Sequence, residues 1–184
     1  MAHTVRRSAV LTPAIALVAG AFLVLAPTSP APAEPATAEP APAEPASCEP
    51  AAELDRRLGE LGRNGYAWVI ASQPLPGNLY GVTSIDARTV RIASNVPCEL
   101  IPSVVNHEWA HTQQGYRYGT EIRTRRAFGS DAMERVADCA SWLLGSTYTP
   151  YLTRDRKLTG QWCTGYELAS ARDLIGRATA TSRG

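Results

Sequence analysis

Histidine is nearly absent from this chain. Of 184 residues only three are histidine: His3, His107 and His111. An excess of charge of one sign is absent as well, with 18 Lys+Arg against 17 Asp+Glu. Arg6 and Arg7 are the only charged residues before Glu34, so 16 basic residues (18 − 2) face the 17 acidic ones from there onward. A near-neutral domain has no electrostatic footprint for nucleic acid, and none is expected as a partner. The four cysteines, Cys48, Cys98, Cys139 and Cys163, include no C-x-x-C spacing, which argues against a cysteine-rich metal site. None of them follows the first apolar run closely, which argues against a lipid-modified leader.

The N-terminus begins with Arg6-Arg7, continues as an apolar run to about Ala26, and ends in small residues and prolines. That layout predicts a secretory signal over residues 1–33, with "APA" at 31–33 or "ATA" at 36–38 as exit sites. The alternative is an uncleaved anchor, the one route by which this chain would meet a membrane. Residues 33–47, "AEPATAEPAPAEPAS", repeat one five-residue unit. Proline removes backbone donors and nothing here is large enough to bury, so 34–47 reads as an extended linker. A single folded domain is expected over 48–184, secreted or otherwise extracytoplasmic.

An even number of cysteines in an exported chain predicts two disulfides. Pairing neighbours in sequence closes the shorter loops, which favours Cys48 with Cys98 and Cys139 with Cys163. Leucines at 54, 58 and 61 predict a first helix ended by Gly62. "YAWVIAS" from Tyr66 predicts a strand, and "GVTSI" and "TVRIAS" predict a hairpin. "IPSVVNHEWAHTQQG" predicts a helix with Pro102 in its first turn and Gly115 at its end. Its residues Ile101, Val105, Trp109 and Thr112 form one stripe, and Val104, His107, Glu108 and His111 another, so one face suits a core and the other a cleft. Arg123 to Arg126 reads as a solvated loop, with capture of an anionic substrate end as the alternative. Further helices are expected from Ser130 to Gly145, with Met133, Val136, Ala137, Ala140 and Leu144 inward, and from Thr164 to Arg177. A helix, a few strands and then mostly helices make an α+β domain with a short antiparallel sheet or hairpin.

The run "NHEWAHTQQG" carries the chemistry. Residues four apart on a helix lie one turn above each other on the same face, so His107 and His111 can reach one ion at about 2.0–2.1 Å. Glu108 is rotated around the axis and stands beside such an ion, placed to take a proton from water. This is the H-E-x-x-H arrangement, and it uses every histidine past residue 3. A histidine pair on a solvated face is the bland alternative. Catalytic zinc takes three protein ligands and keeps one position open. A third histidine is excluded: H-E-x-x-H-x-x-G-x-x-H would require Gly at 114 and His at 117, where Gln114 and Arg117 stand. The third ligand is therefore an acid.

Over 106–145 the sequence resembles the gluzincin group of zinc metallopeptidases, whose second helix carries E-x-x-x-D. Here Glu134-Arg135-Val136-Ala137-Asp138 matches, and "ERVADCAS" is similar to bacterial proteins assigned as neutral zinc metallopeptidases. The resemblance implies a zincin-like fold, with His107, His111 and Glu134 on Zn2+, Glu108 as general base and Asp138 hydrogen-bonded to His107. Asp131, Asp138 and Glu121 stand as substitute ligands. The plain structural readings are a capping box between Asp131 and Glu134, and an Asp138–Arg135 ion pair. Tyr116, Tyr118, Tyr148, Tyr151, Tyr166 and nearby arginines are open as donors to a developing oxyanion. The expected activity is hydrolysis of a peptide or protein substrate, and the resemblance implies that the "TVRIAS" strand borders the cleft, where an extended peptide can pair with it. The alternative is a non-catalytic exported module that binds zinc or a surface partner.

Overall fold

The computed structural model describes residues 48–160 and 162–181; the predicted signal (1–33) and linker (34–47) lie outside them. The described chain is α+β. The order is α1 (Pro50–Leu61), β1 (Ala67–Ile70), β2 (Gly81–Ser84), β3 (Thr89–Ile92), α2 (Ile101–Tyr118), α3 (Glu121–Phe128), α4 (Ser130–Leu143), α5 (Pro150–Thr159) and α6 (Gly165–Thr181).

Local chemistry sets the first elements. The Glu49 carboxylate accepts from the Ala51 N–H, Pro50 opens α1, and Gly62 closes it at φ 82°. Leu54 and Leu58 turn inward from α1. The sheet has the order β1-β3-β2, with β1 parallel to β3 and β2 antiparallel to it. The predicted hairpin is therefore present, but the sheet is mixed rather than antiparallel. Side-chain alternation fixes which face a strand buries and says nothing about its direction, and the β1–β3 pairing is non-local. The strand expected to border the cleft, β3, lies in the centre, and the edge beside the cleft belongs to β2.

The main core joins α1, the sheet and one face of α2: Leu54, Leu58, Trp68, Val90, Ile92, Ile101, Val105 and Trp109 pack together. The polar ends of both indoles are satisfied, Trp68 Nε1 donating to the Arg63 carbonyl at 3.2 Å and Trp109 Nε1 to the Leu61 carbonyl at 3.1 Å.

One boundary and two elements differ from expectation. Helix α2 does not end at Gly115; it runs to Tyr118, and Gly119 at φ 84° caps it. Gly115 is glycine because a Cβ there would collide with the Tyr66 hydroxyl and sit 2.8 Å from Ile85 Cγ2. Arg123 to Arg126 lie on α3 rather than in a loop, because the Thr120 side chain accepts from the Arg123 N–H and starts a helix. Their guanidiniums remain largely solvated, while Thr124 turns inward. Helix α5 was not foreseen at all.

Helices α4, α5 and α6 pack on the other side of α2 around the small residues Ala110, Ala137, Cys139, Ala140 and Ala171, with Leu152 of α5 among them. Two disulfides, Cys48–Cys98 and Cys139–Cys163, leave no free cysteine among the described residues, as fits an oxidising compartment. No helix among the described residues is long and apolar enough to cross a membrane.

Candidate metal centre

Helix α2 presents His107 and His111 one turn apart, and α4 crosses beside them carrying Glu134. The two Nε2 atoms are 3.1 Å apart, and each is 3.2 Å from Glu134 Oε2. An ion held tetrahedrally at 2.0–2.1 Å spaces its ligands by about 3.3 Å, so this triangle matches one face of such a site. Among the described residues these three form the cluster able to hold a metal ion.

The next layer decides which atoms face inward. Asp138 is completely buried, and its Oδ1 lies 2.7 Å from His107 Nδ1. Its Oδ2 accepts the backbone N–H groups of Tyr151 at 2.7 Å and Leu152 at 3.0 Å, closing the first turn of α5. A carboxylate only accepts, so Nδ1 of His107 carries the proton and Nε2 presents a lone pair. On the other ring, Gln114 Oε1 lies 2.8 Å from His111 Nδ1.

Two lone pairs and a carboxylate oxygen this close repel one another unless a cation sits among them, and without metal a proton takes that place. Burial alone would push the His107 pKa down, but the carboxylates of Asp138 and Glu134, helped by the charge of Glu108, raise it to about 10. His111 is likewise opposed by burial and raised by Glu134. Burial would raise Glu134, yet its hydrogen bonds from both histidines hold it well below the usual carboxylate range.

Glu108 stands outside the triangle. Its buried carboxylate lies against edge strand β2, where Thr83 Oγ1 donates to Oε2 at 2.7 Å. Gly81 makes room for it: a Cβ there would lie 2.6 Å from Glu108 Cγ and 2.7 Å from Cδ. The whole group opens on a cleft of about 580 Å³ bordered by Tyr80, Thr83, His107, Glu108, Glu134 and Tyr151.

The substitute ligands fall away. Asp131 is exposed, Glu121 pairs with Arg125 at 2.8 Å, and Asp138 serves the Nδ1 side of His107. Asp131 forms no cap on α4, and Arg135 pairs with Asp155 and Glu167 rather than with Asp138. Among the five tyrosines considered, Tyr148 and Tyr151 border the cleft, whereas Tyr116 and Tyr166 are exposed and Tyr118 packs edge-on against Phe128. The Tyr151 ring stacks on His107 with centroids 5.8 Å apart and planes 11° apart. Burial, then the negative charges of Glu134, Asp138 and Glu108, push its phenol up to about 12. The phenol therefore keeps its proton and can donate it in a hydrogen bond. The nearby Arg125, although on the cleft, is occupied by Glu121.

Sequence reasoning missed Thr83 and Gln114. Thr83 left no signal, because its partner is 25 residues away. Gln114 left one, since it stands three residues after His111 and thus on the same helix face. Comparison with known proteins returns no matching family model, no matching curated protein and no matching solved structure.

Proposed function

We propose that this chain is an exported zinc-dependent peptidase of zincin-like fold. The observation that carries the reading is the convergence of His107 Nε2, His111 Nε2 and Glu134 Oε2 at tetrahedral spacing, with the Glu108 carboxylate held beside them on an open cleft. Two imidazoles and one carboxylate are a donor set that suits catalytic zinc and leaves a fourth position free. When bound, the ion supplies positive charge that acidifies water and polarises a carbonyl.

The remaining chemistry belongs to the protein. Glu108 takes a proton from the attacking water and passes it to the departing amine nitrogen. Tyr151 donates its phenol hydrogen bond to the oxygen that becomes negative as the carbonyl is attacked. Asp138 keeps His107 in the tautomer the centre needs. Strand β2 is paired on one side only, so its other edge accepts an extended peptide by strand addition. Export rests on the N-terminal leader pattern, and the two disulfides are consistent with it.

A non-catalytic zinc-binding module is the competing reading. It gives no reason for a carboxylate seated beside the ligands, and Glu108 therefore discriminates. The purified protein is expected to hold about one zinc, to cleave a peptide library and to stop on chelation. Glu108→Gln should abolish cleavage with zinc retained, and Glu134→Ala should strip the metal. Undiminished cleavage by the Glu108 variant would refute its role as base; a zinc-loaded wild type that cleaves nothing would favour the binding module.

A further inference from the structure

Gln114 is completely buried, and an amide buried without partners is costly, so both of its ends must be satisfied. Its Nε2 donates to the Met133 carbonyl at 3.0 Å. A carbonyl only accepts, so the amide cannot be turned round: NH₂ faces Met133 and Oε1 faces His111. Oε1 in turn only accepts, and lies 2.8 Å from His111 Nδ1. The proton of neutral His111 is thus fixed on Nδ1, which leaves Nε2 bare toward His107 and Glu134. Free neutral histidine favours the opposite tautomer, with its proton on Nε2. Without Gln114 the ring would tend to place hydrogen on the atom that must bind.

The same amide spans two helices. Gln114 belongs to α2 and Met133 to α4, one residue before Glu134. One side chain therefore touches a ligand on one helix and the residue before a ligand on the other. Asp138 performs the corresponding task for His107 with a charged group, whereas Gln114 performs it with a neutral one.

We propose that Gln114 is a positioning residue of the metal centre, which fixes His111 with a bare Nε2. The inference rests on reading the three residues as a metal site, but not on that site being catalytic.

The test compares zinc affinity of the purified protein, by chelator competition, for wild type, Gln114→Leu and Gln114→Glu, each checked for folding by circular dichroism. Leu keeps the bulk and removes both polar contacts; Glu keeps the acceptor for Nδ1 and loses the amide donor. Gln114→Leu should bind zinc about 10–100-fold more weakly, and Gln114→Glu should stay within about fivefold of wild type, by the same acceptor argument. Gln114→Leu affinity within twofold of wild type would overturn the proposal, and so would equal losses in both variants, which would leave only the tie to Met133. Nitrogen-15 NMR of His111 in the metal-free protein at alkaline pH gives a reading independent of zinc. Nδ1–H is expected in wild type and a substantial Nε2–H population in Gln114→Leu; an unchanged tautomer would sink the idea. If wild type binds no zinc, the metal reading fails, and the NMR arm still decides what Gln114 does.

Discussion

The two sides of α2 are built differently. Toward the sheet, α2 packs large apolar side chains, Ile101, Val105 and Trp109, against leucines of α1 and the strands. Toward α4 and α6 the packed residues are mostly small, Ala110, Ala137, Cys139, Ala140 and Ala171, and polar and covalent links tie the helices together. Arg135, largely buried, ties α4 to Asp155 on α5 and Glu167 on α6, and Cys139–Cys163 fastens α4 to the chain entering α6. The division suits the proposed metal centre. The sheet side supplies volume and the seat of Glu108; the helical side must place Glu134 and Asp138 to within fractions of an ångström, and directional bonds do that better than shape alone.

Breaking the sheet side should damage the fold most and the site least. Trp109→Ala removes an almost fully buried indole, and about 3–5 kcal/mol of stability should go with it. Urea unfolding measures the loss, while zinc per folded molecule should stay near that of wild type. Breaking the helical side should do the reverse. Arg135→Met removes the guanidinium shared by two largely buried carboxylates, which keep Arg154 on Asp155 and the Thr164 N–H on Glu167, at a cost of about 1–3 kcal/mol. Zinc affinity should fall as well, because Arg135 adjoins Glu134 on a helix whose anchors have been cut. A variant with unchanged zinc affinity would show that α4 is placed by packing after all.

The same contrast explains what the sequence made legible. His107, Glu108 and His111 are local: three residues on one helix, whose geometry follows from 3.6 residues per turn. The stripe of Ile101, Val105 and Trp109 was readable for the same reason. Gly115 misled because glycine ends helices and also permits close approach, and only the positions of Tyr66 and Ile85 tell which applies. The parallel β1–β3 pairing, Thr83 under Glu108 and the docking of α5 on Asp138 all join residues distant in sequence. Helix α5 was hidden further because, among its described side chains, Leu152 alone is fully buried and leaves no periodic stripe.

Charge sharpens the comparison at smaller amplitude, because the helical side should respond to pH. In the metal-free protein His107 titrates near 10 against 6.5 in an unfolded chain, so its stabilisation is full below 6.5 and is lost as pH rises toward 10. Glu134 is depressed below 4.5, so its share is present above that value and is lost as pH falls further. Metal-free protein should therefore be most stable between 4.5 and 6.5, falling by about 2 kcal/mol toward alkaline pH, since neighbouring groups share one proton. Added zinc should raise the melting temperature more at pH 8 than at pH 6, as metal must displace that proton. Urea midpoints of the metal-free protein that are flat across this range would mean that His107 and Glu134 do not interact as described.

The smallest expected effect on stability is on the sheet side of the site. Thr83→Val removes one hydroxyl of similar bulk, and the bond to Glu108 Oε2 is worth about 1 kcal/mol where the cleft admits water. Zinc content should not change, because β2 touches none of the three ligands through this bond. Turnover should respond out of proportion. With the hydroxyl gone, the carboxylate loses the Thr83 hydrogen bond that holds it on the strand and samples positions from which it cannot reach the attacking water. The expected result is kcat lower by about tenfold with KM within twofold, and Thr83→Ser, which restores the donor, close to wild type. Equal kcat in Thr83→Val and wild type would mean that the close fit against Gly81 alone seats the base.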